Sequence, residues 1–193
     1  MEYESTKSRP SGKRISADDI VRQALDTVSA GNIGVAYTYN EPLIAYEFLK
    51  DCTQAIRRAG LKNVLVTNGC INQKPLETLL LNIDAMNIDL KAFSESFYKK
   101  IGGDLKTVKN TIIQAHKSCH IEVTTLVIPG ENENDVEAIA KWLSNINPNI
   151  PLHLTRFFPR YKYSDKLPTP IETLVQLQKT TQKYLQNVFI GNV

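Results

Sequence analysis

The stretch AMNIDLK, residues 85–91, is a short run of apolar residues interrupted by polar ones, as expected for a buried strand. Five similar runs, rich in apolar and β-branched residues, are spaced along the chain with room for a helix between each pair. They are IGVAYTY (33–39), NVLVTNG (63–69), IEVTTLVIPG (121–130), PLHLTRF (151–157) and NVFIG (187–191). This rhythm predicts repeated βα units, in which right-handed crossovers make neighbouring strands parallel.

Five amphipathic stretches with helical period occupy the gaps between these runs. Ser16, with Asp19 three residues later, is typical of a helix start, and Gly31 marks the end of that segment. Pro42 and Pro170 lie where later helices are expected to begin, with Pro170 at the first helical position.

The fold predicted from this pattern is α/β, a partial (β/α) TIM-type barrel of about six parallel strands. We expect residues 1–193 to form a single domain of this kind. Because a helix precedes the first strand, we expect the barrel to lack its original first strand, with an open sheet as the alternative. A missing strand would leave an unpaired sheet edge, through which copies of the chain could self-associate.

Composition excludes several functional classes. No apolar run approaches the roughly 18 residues needed to span a membrane, and the first residues do not resemble a secretory signal. The net charge of +3 is too small to indicate nucleic-acid binding. Three widely separated cysteines, Cys52, Cys70 and Cys119, favour a reducing cytoplasmic location over a disulfide-linked domain.

Polar residues gather where the predicted strands end, which is where parallel βα proteins place their sites. The segments concerned are Tyr39-Asn40-Glu41-Pro42, Thr67-Asn68-Gly69, Asn87 with Asp89 and Lys91, Thr124-Thr125 with Ile128-Pro129-Gly130, and His153 with Thr155 and Arg156. Several have simpler explanations when taken one at a time. Glu41 could interact with a helix dipole, Asn68 could belong to an ordinary turn, and His153 could be a hydrogen-bonded core histidine.

Asp89 is harder to explain in this way, because it lies in an otherwise apolar strand. An ionised carboxylate there is costly unless a partner or ligand satisfies it. Lys91 lies two residues further on and hence on the same face of an extended strand. The pair suits a zwitterionic ligand that has both a ribose and an amino-acid end.

The strand ends YTYNEP, VTNG, NIDLK, EVTTLVIPG and HLTRFFPRYK, taken together in this order and spacing, resemble those of radical S-adenosylmethionine (SAM) enzymes. The similarity extends from about Tyr3 to Asn192. It is greatest to enzymes related to pyruvate formate-lyase activating enzyme, and above all to the radical SAM member of the AmmeMemoRadiSam system.

This resemblance implies a SAM site. Asn40-Glu41-Pro42 would replace the GGEP segment that holds the methionine amino group, and Lys91 would lie near the SAM carboxylate. The remaining positions implied to line the site or to flank the ribose and adenine are Asn68, Asp89, Thr124, Leu126 and Ile128. Phe158 stands where relatives often have a histidine that contacts SAM, so that contact is not expected here.

The resemblance also implies a four-iron cluster held by a CxxxCxxC segment, which this sequence lacks. We therefore expect the chain to be a fragment beginning after those cysteines and ending short of its relatives, and to be inactive by itself. The parent enzyme would cleave SAM reductively to a 5′-deoxyadenosyl radical. Its partners would be an electron donor and a substrate, with a glycyl radical protein as one candidate.

Two alternatives from other classes stay open at this point. One is a barrel that binds a nucleoside-like ligand without catalysis. The other is a (β/α) barrel lyase that uses Lys91 as a Schiff-base amine, which would leave Asn40-Glu41-Pro42 without a role.

Overall fold

The computed structural model describes residues 14–193. Six parallel strands form one sheet in the order β1-β2-β3-β4-β5-β6, so every strand pairs with its neighbours in sequence. The strands are β1 (Gly34–Tyr37), β2 (Lys62–Thr67), β3 (Ala85–Asp89), β4 (His120–Val127), β5 (Leu152–Arg156) and β6 (Val188–Gly191). The prediction of a partial barrel of six parallel strands is confirmed.

The described residues contain seven α-helices, one before β1 and six between the strands. They are α1 (Ala17–Asp26), α2 (Tyr46–Arg58), α3 (Gln73–Leu80), α4 (Glu95–Lys100), α5 (Leu105–His116), α6 (Val136–Ser144) and α7 (Ile171–Thr181). In residues 14–193 no helix combines the length and the apolarity needed to cross a membrane.

The predicted helix ends are mostly confirmed. The Ser16 hydroxyl accepts a hydrogen bond from the Asp19 amide, and the Asp19 carboxylate accepts one from the Ser16 amide, which completes a capping box. The α-helix itself ends at Asp26, and a 3-10 turn continues to Gly31, where φ is +94°. Pro170 is a correction, because α7 begins at Ile171 and Pro170 precedes its first turn.

The two faces of the sheet differ in character. On β4 the residues Ile121, Val123, Thr125 and Val127 are buried, whereas the alternate positions are half-exposed or exposed. The buried face packs against the helices, with Ile112, Ile139 and Leu143 among the fully covered side chains. Right-handed crossovers between consecutive strands place the helices that connect them on one side of the sheet. We call the opposite side the inner face.

The inner face carries Asn87 and Asp89 on β3, Glu122 and Thr124 on β4, and His153 on β5. Strand register brings them together, since Thr124 is paired with Asp89 on one side and with His153 on the other. The fold thus collects polar side chains from three central strands on a single surface.

Candidate functional site at the carboxyl ends of the strands

A cleft of about 900 Å³ opens at the carboxyl ends of the first four strands. Six of the eight site residues expected from the sequence line it: Asn40, Asn68, Asp89, Lys91, Leu126 and Ile128. Its walls also include Tyr39, which the sequence placed at a strand end. The other lining residues were not expected at the site: Cys70, Phe97, Tyr98, Ile101 and Asn132, with Gly102 and Gly103. The volume is within the usual range for a small-molecule site, roughly 300–1,000 Å³.

The two other expected residues, Glu41 and Thr124, do not line the cleft, although they lie at the same end of the sheet. One Glu41 oxygen accepts hydrogen bonds from the Leu43 amide (3.0 Å) and the Thr67 hydroxyl (2.7 Å). The other accepts one from the Asn68 amide (2.7 Å). Glu41 therefore fixes the segment after β1 to the end of β2, and this determines where Asn40 and Asn68 lie.

Tyr39 and Asn40 form the rim of the cleft on the β1 side. Both have positive φ angles, 64° and 49°, in the left-handed region that non-glycine residues rarely adopt. Pro42 then starts a short 3-10 helix, Pro42–Ala45, which leads into α2. The Tyr39 side chain is 89% exposed, so an aromatic ring stands at the entrance.

The conformation of the turn after β2 depends on Gly69. Gly69 has φ +72°, and a Cβ atom at this position would lie 2.9 Å from Ile88 Cγ2. The Asn68 carbonyl side-chain oxygen accepts a hydrogen bond from the Cys70 amide at 2.8 Å. The turn thereby places both Asn68 and the exposed Cys70 thiol on the cleft wall.

Asp89 and Lys91 form an ion pair, with 2.6 Å between Lys91 Nζ and Asp89 Oδ2. Both side chains are about one-third exposed. The sequence indicated that an ionised Asp89 needs a partner or a ligand, and Lys91 is that partner. The pair offers one negative and one positive group at the same wall of the cleft.

Asn132 joins the ends of β3 and β4 and is only 2% exposed. Its amide nitrogen donates to the carbonyls of Lys91 (2.6 Å) and Leu126 (2.8 Å), and its oxygen accepts from the Ile128 amide (2.7 Å). One side chain thus sets the spacing of three residues that line the cleft. The only local signal for it in the sequence was its position just after Ile128-Pro129-Gly130.

Tyr98, a buried residue of α4, lines the cleft. Its phenol oxygen accepts a hydrogen bond from the Lys91 amide at 3.1 Å, and burial raises the pKa of this phenol. A Cβ atom at Gly103 would lie 3.1 Å from the Tyr98 ring, so the glycine segment passes close against it. The sequence pattern gave no reason to place Gly102 and Gly103 at a site, because they lie between two helices.

The inner face also carries one hydrogen-bonded pair and one group of three side chains outside the cleft lining. The Thr124 hydroxyl donates to the Asn87 side-chain oxygen at 2.8 Å. His153 Nε2 lies 2.7 Å from one Glu122 oxygen, and His120 Nε2 lies 3.3 Å from the other. Burial alone would raise the pKa of Glu122, but the two histidines outweigh it and hold that pKa below its ordinary value.

The three cysteines do not form a cluster site. Cys52 is fully buried in α2, Cys70 is at the cleft, and Cys119 is in the turn before β4. Within residues 14–193 no group of three or more histidine, cysteine, aspartate or glutamate side chains is arranged to hold a metal ion. The three cysteines are therefore not placed to hold an iron–sulfur cluster together.

Comparison with known proteins identifies the family. A family model for the Radical SAM superfamily matches residues 2–143, which is most of the chain. The chain belongs to the radical SAM superfamily. Phe158 is not among the described residues that line the cleft.

Individual relatives agree with this assignment. The uncharacterized protein MJ0808 of Methanocaldococcus jannaschii is 41% identical over 83% of this chain and 49% of its own length. Pyruvate formate-lyase 1-activating enzyme of Escherichia coli is 23% identical over 66% of this chain and 54% of its own. The chain spans about half the length of these relatives.

A solved structure confirms the fold. A domain of pyruvate-formate lyase-activating enzyme from Bacteroides vulgatus superposes with a TM-score of 0.69 at 19% identity, covering 82% of this chain and 99% of that domain. At this level of identity the similarity shows the architecture alone.

Proposed function

We propose that the cleft binds SAM and that the chain is the SAM-binding core of a larger radical SAM enzyme. The observation that supports this most directly is the cleft itself. In a chain of this superfamily, six residues expected to contact SAM line one cavity of suitable size.

The chemistry of the walls is consistent with the ligand. SAM has an amino-acid end with both charges, a ribose with two hydroxyls and an aromatic base. The Asp89–Lys91 pair can bind charged or hydroxyl groups, and the amides of Asn40 and Asn68 can donate and accept hydrogen bonds. Leu126 and Ile128 offer an apolar wall to the base. Glu41 and Thr124 are proposed to act indirectly, by fixing Asn68 and Asn87.

The family's cluster, when bound, supplies the electron that cleaves SAM. The three cysteines of this sequence do not fit that cluster, so we propose that its ligands are contributed by other parts of the parent protein. On this proposal the chain as given binds SAM but does not cleave it. Its residues orient the cofactor and limit access of water.

We further propose that the parent enzyme works in the cytoplasm with an electron donor and acts on a protein. Two named relatives are activating enzymes, whose names identify another enzyme as the target: pyruvate formate-lyase in one case and 4-hydroxyphenylacetate decarboxylase in the other. A glycyl radical enzyme is therefore the first class of substrate to test.

Cys70 gives a direct test of SAM binding, because its exposed thiol lines the cleft. We expect saturating SAM to slow alkylation of Cys70 by iodoacetamide several-fold, as measured by mass spectrometry of the labelled peptide. Cys119 is the internal control. It does not line the cleft, and burial raises its thiol pKa to about 11, so its slow labelling should not respond to SAM.

Two ion-paired aspartates at opposite ends of β3 test the site more specifically. Asp89→Asn should weaken SAM binding roughly tenfold or more, about 1.4 kcal/mol. Asp84→Asn removes the same charge from an ion pair with Lys62 (2.8 Å) at the opposite end of β3 and should leave binding unchanged. If SAM fails to protect Cys70 in the folded protein, or if both variants bind equally, the SAM site is not this cleft.

The lyase alternative is not favoured, because Lys91 Nζ is held by Asp89 and is not presented alone to a carbonyl group. Borohydride reduction in the presence of an aldehyde should therefore leave Lys91 unmodified. A scaffold without catalysis would bind SAM in the assays above, but the full-length protein would release no 5′-deoxyadenosine.

A further inference from the structure

Glu122 and His153 form a hydrogen-bonded pair on the inner face, beside the cleft but outside its lining. Thr124 is paired in register with both Asp89 and His153, so His153 lies across β4 from Asp89 at the same level of the sheet. Two strand spacings separate these residues, about 10 Å between their backbones. A group bound at His153 would therefore be a close neighbour of a ligand held at Asp89.

The position of the imidazole ring is fixed from two sides. Its Nε2 atom lies 2.7 Å from a Glu122 oxygen, and the ring stacks on Phe189 with 5.4 Å between centroids and an interplanar angle of 26°. An ionised carboxylate can only accept a hydrogen bond, so Nε2 carries the proton. In the neutral imidazole the second nitrogen, Nδ1, is then an acceptor.

Nδ1 makes no hydrogen bond to any residue in the described part of the chain, and the His153 side chain is 29% exposed. The pair therefore presents a fixed acceptor on an accessible surface. A carboxylate that orients an imidazole in this way is a common arrangement for receiving a proton or a hydrogen-bond donor.

We propose that the Glu122–His153 pair is a second binding site on the inner face, which receives an uncharged hydrogen-bond donor of the substrate at His153 Nδ1. The donor is either an amide N–H or a hydroxyl. The inference rests on the proposed function in one respect, namely that the bound group belongs to the substrate of the SAM-dependent reaction.

The surrounding charges determine which ligands are accepted. Glu122 and the exposed His120 lie on β4, and β6 contributes the uncharged Phe189. Asp89, at the end of β3, and Lys91, just after it, neutralise each other. A carboxylate or phosphate would meet the negative charge of Glu122 at close range. An uncharged group avoids this repulsion and can still donate to Nδ1.

Nitrogen-15 NMR of the histidine side chains tests the proposal without requiring SAM cleavage. The chain has three histidines, and a His153→Gln spectrum assigns the signals. In the neutral imidazole of His153, we expect a protonated Nε2 and an unprotonated Nδ1. Glu122→Gln should abolish this tautomer preference, whereas His120→Gln should preserve it.

Two small probes then represent the two classes of donor: N-acetylglycinamide for a peptide amide and 1,3-propanediol for a hydroxyl. We expect at least one to shift the His153 Nδ1 signal saturably, and the probe that binds more tightly identifies the class. Acetate, the anionic control, should cause no saturable shift, and Glu122→Gln should lose the response to the active probe.

The proposal is overturned if Nδ1 carries the proton, if neither probe shifts its signal, or if acetate shifts it equally. These results do not depend on SAM, whose binding is measured separately through Cys70. A negative result here with protection of Cys70 would reject the second site alone. The reverse result would reject the SAM cleft.

Discussion

At the scale of single residues, Gly69 is required for both its conformation and its size. Its φ of +72° disfavours any side chain, and a Cβ atom would approach Ile88 Cγ2 to 2.9 Å. Thr111 also donates a buried hydrogen bond to the Gly69 carbonyl at 2.8 Å, so the backbone cannot easily move away. The turn that carries Asn68 therefore depends on this position.

We predict that Gly69→Ala destabilises the protein by about 3 kcal/mol, from left-handed backbone strain together with overpacking against Ile88. Gly60→Ala is the matched control, since Gly60 has a similar φ of +77° but open space around its Cβ position. That variant should lose only about 1 kcal/mol. Urea unfolding measures both, and equal losses would show that the contact with Ile88 is unimportant.

Asn132 provides the second prediction at this scale. Asn132→Ala leaves two carbonyls and one amide without their buried partner, which should cost about 3 kcal/mol of unfolding free energy. SAM affinity should fall as well, because the ends of β3 and β4 would no longer be joined by the Asn132 hydrogen bonds. Asn145→Ala, at the exposed end of α6, should change neither the urea midpoint nor SAM binding. Normal SAM affinity in a folded Asn132→Ala protein would contradict the proposed positioning role.

At the scale of elements, β4 carries a pH-sensitive interaction. The pKa of Glu122 is lowered from an ordinary value of 4.5 by its histidine partners. The folded state therefore prefers the ionised carboxylate more than the unfolded state does. Its contribution to stability is fully present above about pH 4.5 and is lost as the pH falls through the lower folded pKa.

We accordingly predict that Glu122→Gln is less stable than the wild type near neutral pH and that the difference shrinks below pH 4. Urea unfolding at several pH values between about 7 and 3 measures this. A difference that stays constant over this range would mean that the carboxylate charge contributes nothing to stability.

The strands were the elements that the sequence predicted best, with ends within two or three residues of those observed. Their signal is local, because alternating or continuous apolar residues report burial directly.

The start of α7 was predicted one residue too early, at Pro170, because the Thr169 side chain makes long-range hydrogen bonds and does not cap the helix. Its hydroxyl donates to the Val127 carbonyl at 2.6 Å and accepts from the Phe157 amide at 3.1 Å. Such long-range contacts leave no local pattern.

The same reason explains the partial prediction of the site. Asn40, Asn68, Asp89 and Lys91 follow strands and were found by position along the chain. Asn132 was missed because it bonds to a carbonyl 41 residues earlier in the sequence. Tyr98 was missed because only the packing of α4 brings its phenol under Lys91. The spacing of strands along a sequence predicts which loops lie next to one another. It does not predict which side chains form the hydrogen bonds between those loops.

At the scale of the whole molecule, the sheet is open within residues 14–193. In that part of the chain, β1 pairs only with β2, and β6 pairs only with β5. An outer strand edge offers unpaired backbone groups to another copy of the protein. The short β1, Gly34–Tyr37, is the edge nearer the start of the chain.

We predict concentration-dependent self-association of the chain, detected as a rising mass in size-exclusion chromatography with light scattering. Ala36→Lys, which introduces a charge on the exposed position of β1, should suppress it. Ala30→Lys, outside the strand, should have no effect. A monomer at all concentrations would show that the β1 edge does not pair with another copy of the chain.

The sheet order has a consequence for how the protein forms. Each strand needs only the strand before it in sequence as a template, and none has to wait for a distant segment. The fold can thus grow unit by unit as the chain emerges from the ribosome. The ends of β2, β3 and β4, with most of the cleft, would be assembled before β6 has been synthesised.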